Sequence, residues 1–194
     1  MLPIRSGFAL HAAAAFLAIL PLLPGAAGAR GNEDLKTLTA AAPAVGRPAV
    51  LLTEFIYEKA PFPEAHASTI VQMTDGRLAA AWFGGTKEQN IDVSIWFSVH
   101  EDGVWSAPRE VATGMQADGR LLPTWNPVLF QAPEGDLFLF YKEGRDPLTK
   151  KSWGMVMRSS DGGETWKAPR RLEDNFYGPI KNKPVILSDG TWLS

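Results

Sequence analysis

Residues Ser159-Ser160-Asp161-Gly162-Gly163-Glu164-Thr165-Trp166 spell S-x-D-x-G-x-T-W. The pattern occurs in weaker form from Ser98 to Trp105, with His100 in place of the aspartate and Asp102 in place of the second glycine. The tail Trp105-Ser106-Ala107-Pro108-Arg109 repeats as Trp166-Lys167-Ala168-Pro169-Arg170, at an offset of 61 residues. A period of that size marks a β-propeller or a similar array, because each unit is one small sheet that cannot bury its faces alone. The residue types explain the motif as a folding device. A hairpin needs a residue with positive φ, supplied by Gly163, and an acceptor for bare turn N–H groups, supplied by Asp161. Trp166 carries a ring large enough to fill the space between neighbouring sheets. Asp161 is therefore read as structural and is left out of the candidate catalytic residues.

Working outward, three segments overlay one another. They are Ser68-Thr69-Ile70-Val71 with Asp75-Gly76 beyond, Asn126-Pro127-Val128-Leu129 with Glu134-Gly135 beyond, and Lys183-Pro184-Val185-Ile186 with Asp189-Gly190 beyond. Each reads as a strand, a turn and a second strand. The second strands are expected over 77–83 and 136–141 and from Thr191 onward. In the first two copies a third strand, over 93–99 and 155–158, precedes the box turn and a fourth strand. Four strands per unit is the blade of a propeller. The expected fold class is all-β, a β-propeller of four-stranded blades, preceded by a first strand over 50–57 and with no convincing helix after the N-terminal segment. About 145 residues of repeat at about 60 each give roughly two and a half blades, whereas closed propellers have about four to eight. The chain therefore reads as an incomplete array, the N-terminal part of a longer protein.

The N-terminal segment sets the compartment. Arg5, an apolar run over 8–23 and Ala27-Gly28-Ala29 follow the order of a secretory signal peptide, expected over 1–29. The run is broken by His11, Pro21 and Pro24 and is shorter than the roughly 20 residues of a membrane span. The expectation is a secreted or periplasmic protein with no stable membrane insertion after cleavage. A loosely ordered leader is expected over 30–49, and the propeller domain over 50–194. With no cysteine there are no disulfides, so stability must come from a packed core, consistent with 7 Trp and 10 Phe. A net charge of −2 argues against nucleic acid as a partner. Three histidines, one of them in the signal segment, and no cysteine give no metal-ligand spacing, and Gly162-Gly163 belongs to the hairpin rather than to a phosphate loop. No metal and no cofactor are expected.

Propeller geometry then selects candidate site residues. The first strand of each blade is innermost, so the entries of these strands converge at one mouth of the central channel, where polar groups form a pocket. That rule selects His66, Trp125, Asn126, Lys181, Asn182 and Lys183. The loops between second and third strands reach the same mouth and add Glu88, Asp92, Lys142 and Glu143. His66 reads equally as a strand cap or a working group. Asp92 caps a turn or acts in a loop whose Gly84-Gly85 pair lets the backbone approach a ligand. Glu88 lies in a polar, solvated loop. Trp125 is either core or a platform for a sugar ring. Lys181 and Lys183 would share a face of a strand, and two neighbouring cations suit a substrate carboxylate.

The box resembles the Asp-box, or BNR repeat, of sialidases and their relatives. Ala65-His66-Ala67-Ser68-Thr69, Trp82-Phe83-Gly84-Gly85-Thr86 and Gly178-Pro179-Ile180-Lys181-Asn182-Lys183-Pro184 are similar to segments of a bacterial branch of sialidase-like proteins described as exo-sialidases. The resemblance covers the chain from about Glu54 and implies a propeller of six blades when complete. It implies a glycoside hydrolase that removes a terminal, acidic sugar such as sialic acid from a glycan. Sialidases open the first blade with an aromatic-Arg-Ile-Pro motif, where this chain has His66-Ala67-Ser68-Thr69, and carry a Gly-Arg pair where this chain has Gly85-Thr86. By the resemblance Asp92 is the nearest match to the acid/base, with Glu88 second, and a Tyr nucleophile with its Glu partner would lie beyond Ser194. The catalytic candidates are thus Asp92, His66 and Glu88, and the substrate-binding candidates are Lys183, Asn182, Lys181, Trp125, Asn126 and Lys142. Three other readings stay open: a different glycosidase, a polysaccharide lyase using His66, and a non-catalytic propeller that binds glycans or protein.

Overall fold

The computed structural model describes residues 52–146 and 151–194. The expected signal peptide and leader lie outside the described residues. The first sheet contains β1 (Glu64–Gln72), β2 (Leu78–Gly85), β3 (Ser94–Glu101), β4 (Val104–Trp105) and β5 (Arg109–Ala112). Its order is β1-β2-β3-β4, with β5 also paired to β3. The second sheet is β6 (Thr124–Gln131), β7 (Leu137–Gly144), β8 (Ser152–Ser159) and β9 (Arg170–Arg171), in that order. A third unit begins with the hairpin of β10 (Val185–Ile186) and β11 (Trp192–Leu193). All pairings are antiparallel, and no helix occurs among the described residues. With β4 and β5 sharing the fourth position beside β3, the first sheet, the four-stranded second sheet and the hairpin match the two and a half blades that the repeat requires.

The strand expected over 50–57 does not form over its described part, 52–57. Its apolar residues serve burial instead of pairing. Ile56 and Tyr57 pack with Phe62 against Ala80, Trp82 and Trp96, on the face of the first blade turned away from the second. Tyr57 lies 5.2 Å from the Trp82 ring, and Phe62 lies 4.6 Å from Trp96.

Each inner hairpin closes in the same way. Gly76, Gly135 and Gly190 all have positive φ, and each donates its N–H three residues back, to Met73, Ala132 and Leu187. The adjoining rungs Gln72–Leu78, Gln131–Leu137 and Ile186–Trp192 are therefore equivalent. Counting back from them matches Thr69 with Val128 and Lys183, whereas the sequence overlay set Ser68, one residue away, and Asn126, two residues away, against Lys183. A slip of one residue exchanges the two faces of a strand, so the correction matters.

Both seams between units are apolar. Ala79, Ala81, Phe83, Ile95 and Phe97 of the first blade share one cluster with Leu129, Leu137, Leu139, Tyr141 and Met155 of the second. Val128, Phe130 and Phe140, on the opposite face of the second blade, meet Ile186 and Trp192. The second blade is covered on both sides, which is why β7 begins as an unbroken apolar run, Leu-Phe-Leu-Phe-Tyr, rather than an alternating one.

The box behaves as its residue types require. The Asp161 carboxylate accepts hydrogen bonds from the Thr165 amide at 2.9 Å and the Ser159 hydroxyl at 2.7 Å, and Gly163 sits at φ 91°. Hydrogen bonds from Thr165, and then from Ser159, hold the Asp161 carboxyl far below the usual aspartate range. Trp166 meets Phe97 edge-on at 5.6 Å, inside the first seam. Arg109 of β5 donates to the carbonyls of Glu164, at 2.7 Å, and Gly163, so the turn of the second blade is held by the outer strand of the first. The weaker copy uses another device. Asp102 and Gly103, at φ 52° and 82°, form a two-residue hairpin loop between β3 and β4, which suits right-twisted strands without a carboxylate clasp. His100 then packs on Trp105, with ring centroids 5.1 Å apart.

Two expectations follow. A Cβ at Gly163 would stand 2.4 Å from Cζ of Phe97 in a left-handed backbone, so Gly163→Ala lowers stability by about 2–4 kcal/mol in chemical denaturation. A variant as stable as the parent would show that the turn is not a constraint. Because the pKa of Asp161 is depressed in the fold, its contribution is present above the ordinary aspartate pKa and fades as pH falls through the folded value. Asp161→Ala therefore lowers the melting temperature at pH 7 and narrows the gap to the parent in strong acid.

Candidate functional site

The entry of β1 and the β2–β3 loop enclose an open cleft of about 660 Å³, lined by Pro63, Glu64, Ala65, His66, Lys87, Glu88 and Gln89. Its geometry begins with a bulge. β1 pairs with β2 at Glu64–Gly85, Ala65–Gly84 and His66–Phe83, then loses register until Thr69–Ala81. Ala67 takes up the extra length at φ 50°, a conformation uncommon for a residue with a side chain. Bulges redirect side chains, and here the His66 ring lies along the face of Phe83, with centroids 5.5 Å apart and planes at 28°. Its Nε2 stands 3.8 Å from Oε2 of Glu64, and both side chains are about half exposed. The same Glu64 oxygen accepts the backbone N–H of Glu88 at 2.8 Å. Gln89, on the far wall, is a second non-glycine residue at positive φ, 76°. Strained backbone on both walls is the kind of feature that functional sites retain.

The structure brings His66 and Glu88 together in this cleft and places the other expected residues elsewhere. Asp92 is folded back on its own loop, where its carboxylate accepts the Thr86 amide at 3.0 Å and the Thr86 hydroxyl. That hydroxyl is the main cause of a pKa below the usual carboxylate value. In this arrangement the Asp92 carboxylate fastens the loop and does not line the cleft that holds His66 and Glu88.

Trp125 is 1% exposed, donates its indole N–H to Gly144 O at 2.8 Å and stands edge-on to Phe83 at 5.7 Å. It is core, with no face open to a sugar, which corrects the expectation of a stacking platform. Asn126 occupies the bulge of β6 at φ 47°, the counterpart of Ala67. Asparagine tolerates that backbone better than most residues, which is a structural reason for its presence.

Lys142 is buried, with Nζ 5.8 Å from the centre of the Tyr177 ring. Burial lowers its pKa and Asp146 opposes the shift. This ammonium is walled in rather than presented at the mouth, a second correction. Glu143 beside it points into the first seam, buried, and accepts a hydrogen bond from Gln116. Burial raises its pKa against the opposing effects of Gln116 and Arg171.

Lys181 and Asn182 are exposed in a bend, and β10 starts only at Val185, so the alternation that would put Lys181 and Lys183 on one face does not apply. Lys183 reaches the inner strand of the first blade, donating to Thr69 Oγ1 at 3.1 Å. Thr69 Oγ1 also accepts the Leu129 amide at 3.3 Å. One hydroxyl therefore ties together the inner edges of all three units. Partial desolvation there lowers the pKa of Lys183. Thr69 is three residues beyond His66, roughly 10 Å along the strand, so this cation lies deeper along the inner edge than the cleft.

Sequence reasoning passed over Glu64, Lys87, Gln89 and Thr69. Glu64 had a signal: residues two apart on a strand share a face, but Pro61-Phe62-Pro63 made the stretch read as turn. Among the described residues no group of three or more His, Asp or Glu could hold a metal ion, and no helix is long and apolar enough to cross a membrane.

A family model described as a BNR repeat-like domain matches residues 76–194. Among solved structures, a Hadza microbial sialidase matches with a TM-score of 0.53 and 17% identity, over 66% of this chain and 31% of its own. A protein of unknown function from Dyadobacter fermentans matches with a TM-score of 0.48 and 17% identity, over 65% of this chain and 44% of its own. An α-L-arabinanase from Penicillium chrysogenum matches with a TM-score of 0.26 and 13% identity, over 57% and 50%. The chain thus spans about a third of the sialidase, and the likeness to it establishes the fold. No curated protein matches.

The raised pKa of Glu143 carries a prediction. An acid whose pKa rises on folding adds stability below its unfolded pKa and loses it as pH rises through the folded value. Glu143→Gln keeps a neutral acceptor for Gln116, so thermal melts should show the variant about 1 kcal/mol more stable at pH 8, with the advantage gone near pH 4. A less stable variant at pH 8 would mean that the charged form is the one the fold holds.

Proposed function

The chain belongs to the BNR repeat-like domain family, and from that premise we propose that it is part of a sialidase-like glycoside hydrolase acting on a terminal acidic sugar of a glycan. The observation that carries this reading is the cleft at the β1 entry, where His66, Glu64, Lys87 and Glu88 converge at the end of the sheet. The cationic and neutral donors there suit a carboxylate and hydroxyl groups, and Lys183 adds a positive charge farther along the inner edge. Of the two carboxyls expected to serve as the acid, Glu88 lines the cleft and Asp92 is committed to Thr86. Glu88 is the proton donor in this reading, His66 orients the substrate, and Asp92 holds the loop. The protein acts outside the cytoplasm, secreted or periplasmic, as the order of Arg5, the apolar run and Ala27-Gly28-Ala29 leads one to expect.

A second reading is favoured by the Glu64–His66 pair. A histidine backed by a carboxylate can abstract the proton next to a uronate carboxyl, the step that begins lyase cleavage. The two readings differ in product. Hydrolysis leaves a saturated sugar, while elimination leaves an ultraviolet-absorbing unsaturated one.

The test is turnover by the full-length protein on fluorogenic sialosides and uronic-acid glycans. Glu88→Gln and His66→Ala should each lower kcat/KM by about 100-fold or more, and Asp92→Asn, which keeps an acceptor for Thr86, by less than about tenfold. Full activity in Glu88→Gln with loss in Asp92→Asn would return the acid role to Asp92. No turnover of any acidic glycan would leave a binding propeller.

A further inference from the structure

We propose that Glu64 is the positioning residue of the cleft, using one carboxylate oxygen to hold the His66 imidazole and the Glu88 amide, and so coupling the charge on His66 to the closure of the β2–β3 loop. The inference rests on the cleft being the working site, and it adds to that reading a residue that neither motif nor resemblance marks.

Three observations converge on it. Glu64 is the first residue of β1 and pairs with Gly85, the last residue of β2, so it stands where the loop leaves the sheet. Inside the loop Asn90 N donates to Lys87 O, Val93 N to Asn90 O, and Thr86 to Asp92, while at its far end the Val93 carbonyl accepts from Thr124 of β6. The bond from Glu88 N to Glu64 Oε2 fastens the first half of this loop to β1. Finally, that same oxygen is 3.8 Å from His66 Nε2, close enough for charge attraction but longer than a hydrogen bond.

The groups facing His66 are Glu64 from its own strand, Lys87 and Glu88 from the loop, and Phe83 beneath the ring. Protonated His66 draws on the oxygen that also holds the loop. A substrate carboxylate that entered and paired with His66 or Lys87 would leave Glu64 wholly to the Glu88 amide. Loop attachment and substrate charge are thereby read by one side chain.

Two variants separate the roles. Glu64→Gln keeps a carbonyl oxygen for the Glu88 amide and removes the charge, whereas Glu64→Ala removes both. The measurements are the NMR chemical shifts of the His66 ring at fixed pH and hydrogen-exchange protection of the Glu88 amide, in the full chain without substrate. Glu64→Gln should change the His66 ring chemical shifts and leave Glu88 protection within about threefold. Glu64→Ala should also change those shifts and reduce protection by about tenfold or more. Unchanged His66 ring shifts in Glu64→Gln overturn the proposal even if the alanine variant fails to fold, as does unchanged Glu88 protection in Glu64→Ala. Neither readout needs turnover, so failure of the glycosidase reading and failure of this one are distinguishable.

Discussion

Ala79 and Ala81 of β2 lie in one apolar cluster with Leu137 and Leu139 of β7, and this shared seam is the constraint on which the other features depend. A single four-stranded sheet leaves two faces to solvent and cannot bury enough apolar surface to stand alone. Stacking a second sheet against it removes side chains such as Leu137 and Leu139 from water, each contributing about 1.5–3 kcal/mol. The small alanines on β2 leave room for the larger Leu129, Leu137 and Leu139 of the second blade. Arg109 and the box turn then fix how the outer strands meet. The cleft itself is built within the first blade, from the entry of β1 and the β2–β3 loop.

Much of this architecture is legible in the sequence because it depends on turns, and turns require particular residues. Gly76, Gly135 and Gly190 mark the inner hairpins, and Asp161 with Gly163 marks the outer one. The register was less legible. Bulges at Ala67 and Asn126 insert a residue between the strand entry and the hairpin, and neither residue announces a left-handed backbone as glycine would. The extended apolar stretch before Pro61 reads as a strand by composition, yet Ile56 and Tyr57 serve as a cover over Trp82.

The site was legible in part. His66, at a strand entry, and Glu88, in the loop beside it, line one cleft of the first blade, and no residue of the second blade lines it. Trp125 and Lys142 pair at the strand entry of the second blade, but their side chains point into the seams, because a middle blade buries both faces. Position along a strand decides which end a residue occupies, and only the packing partner decides whether its side chain reaches solvent. Asp92 illustrates a different limit. A carboxylate six residues from a threonine in a loop can close that loop on itself, and the spacing alone does not say whether it will.

The edge-on contact of Trp166 with Phe97 has a spectroscopic consequence. This indole belongs to the second blade and its aromatic partner to the first, so its emission colour reports whether the two units are docked. Separation would expose Trp166 and Trp125 together, both drawn from the same interface, and shift their fluorescence toward the red, whereas Trp105, packed with the Trp82 cluster on the other face of the first blade, would change little. Unfolding that begins by parting the blades would thus be visible as a colour change that precedes the loss of strand circular dichroism.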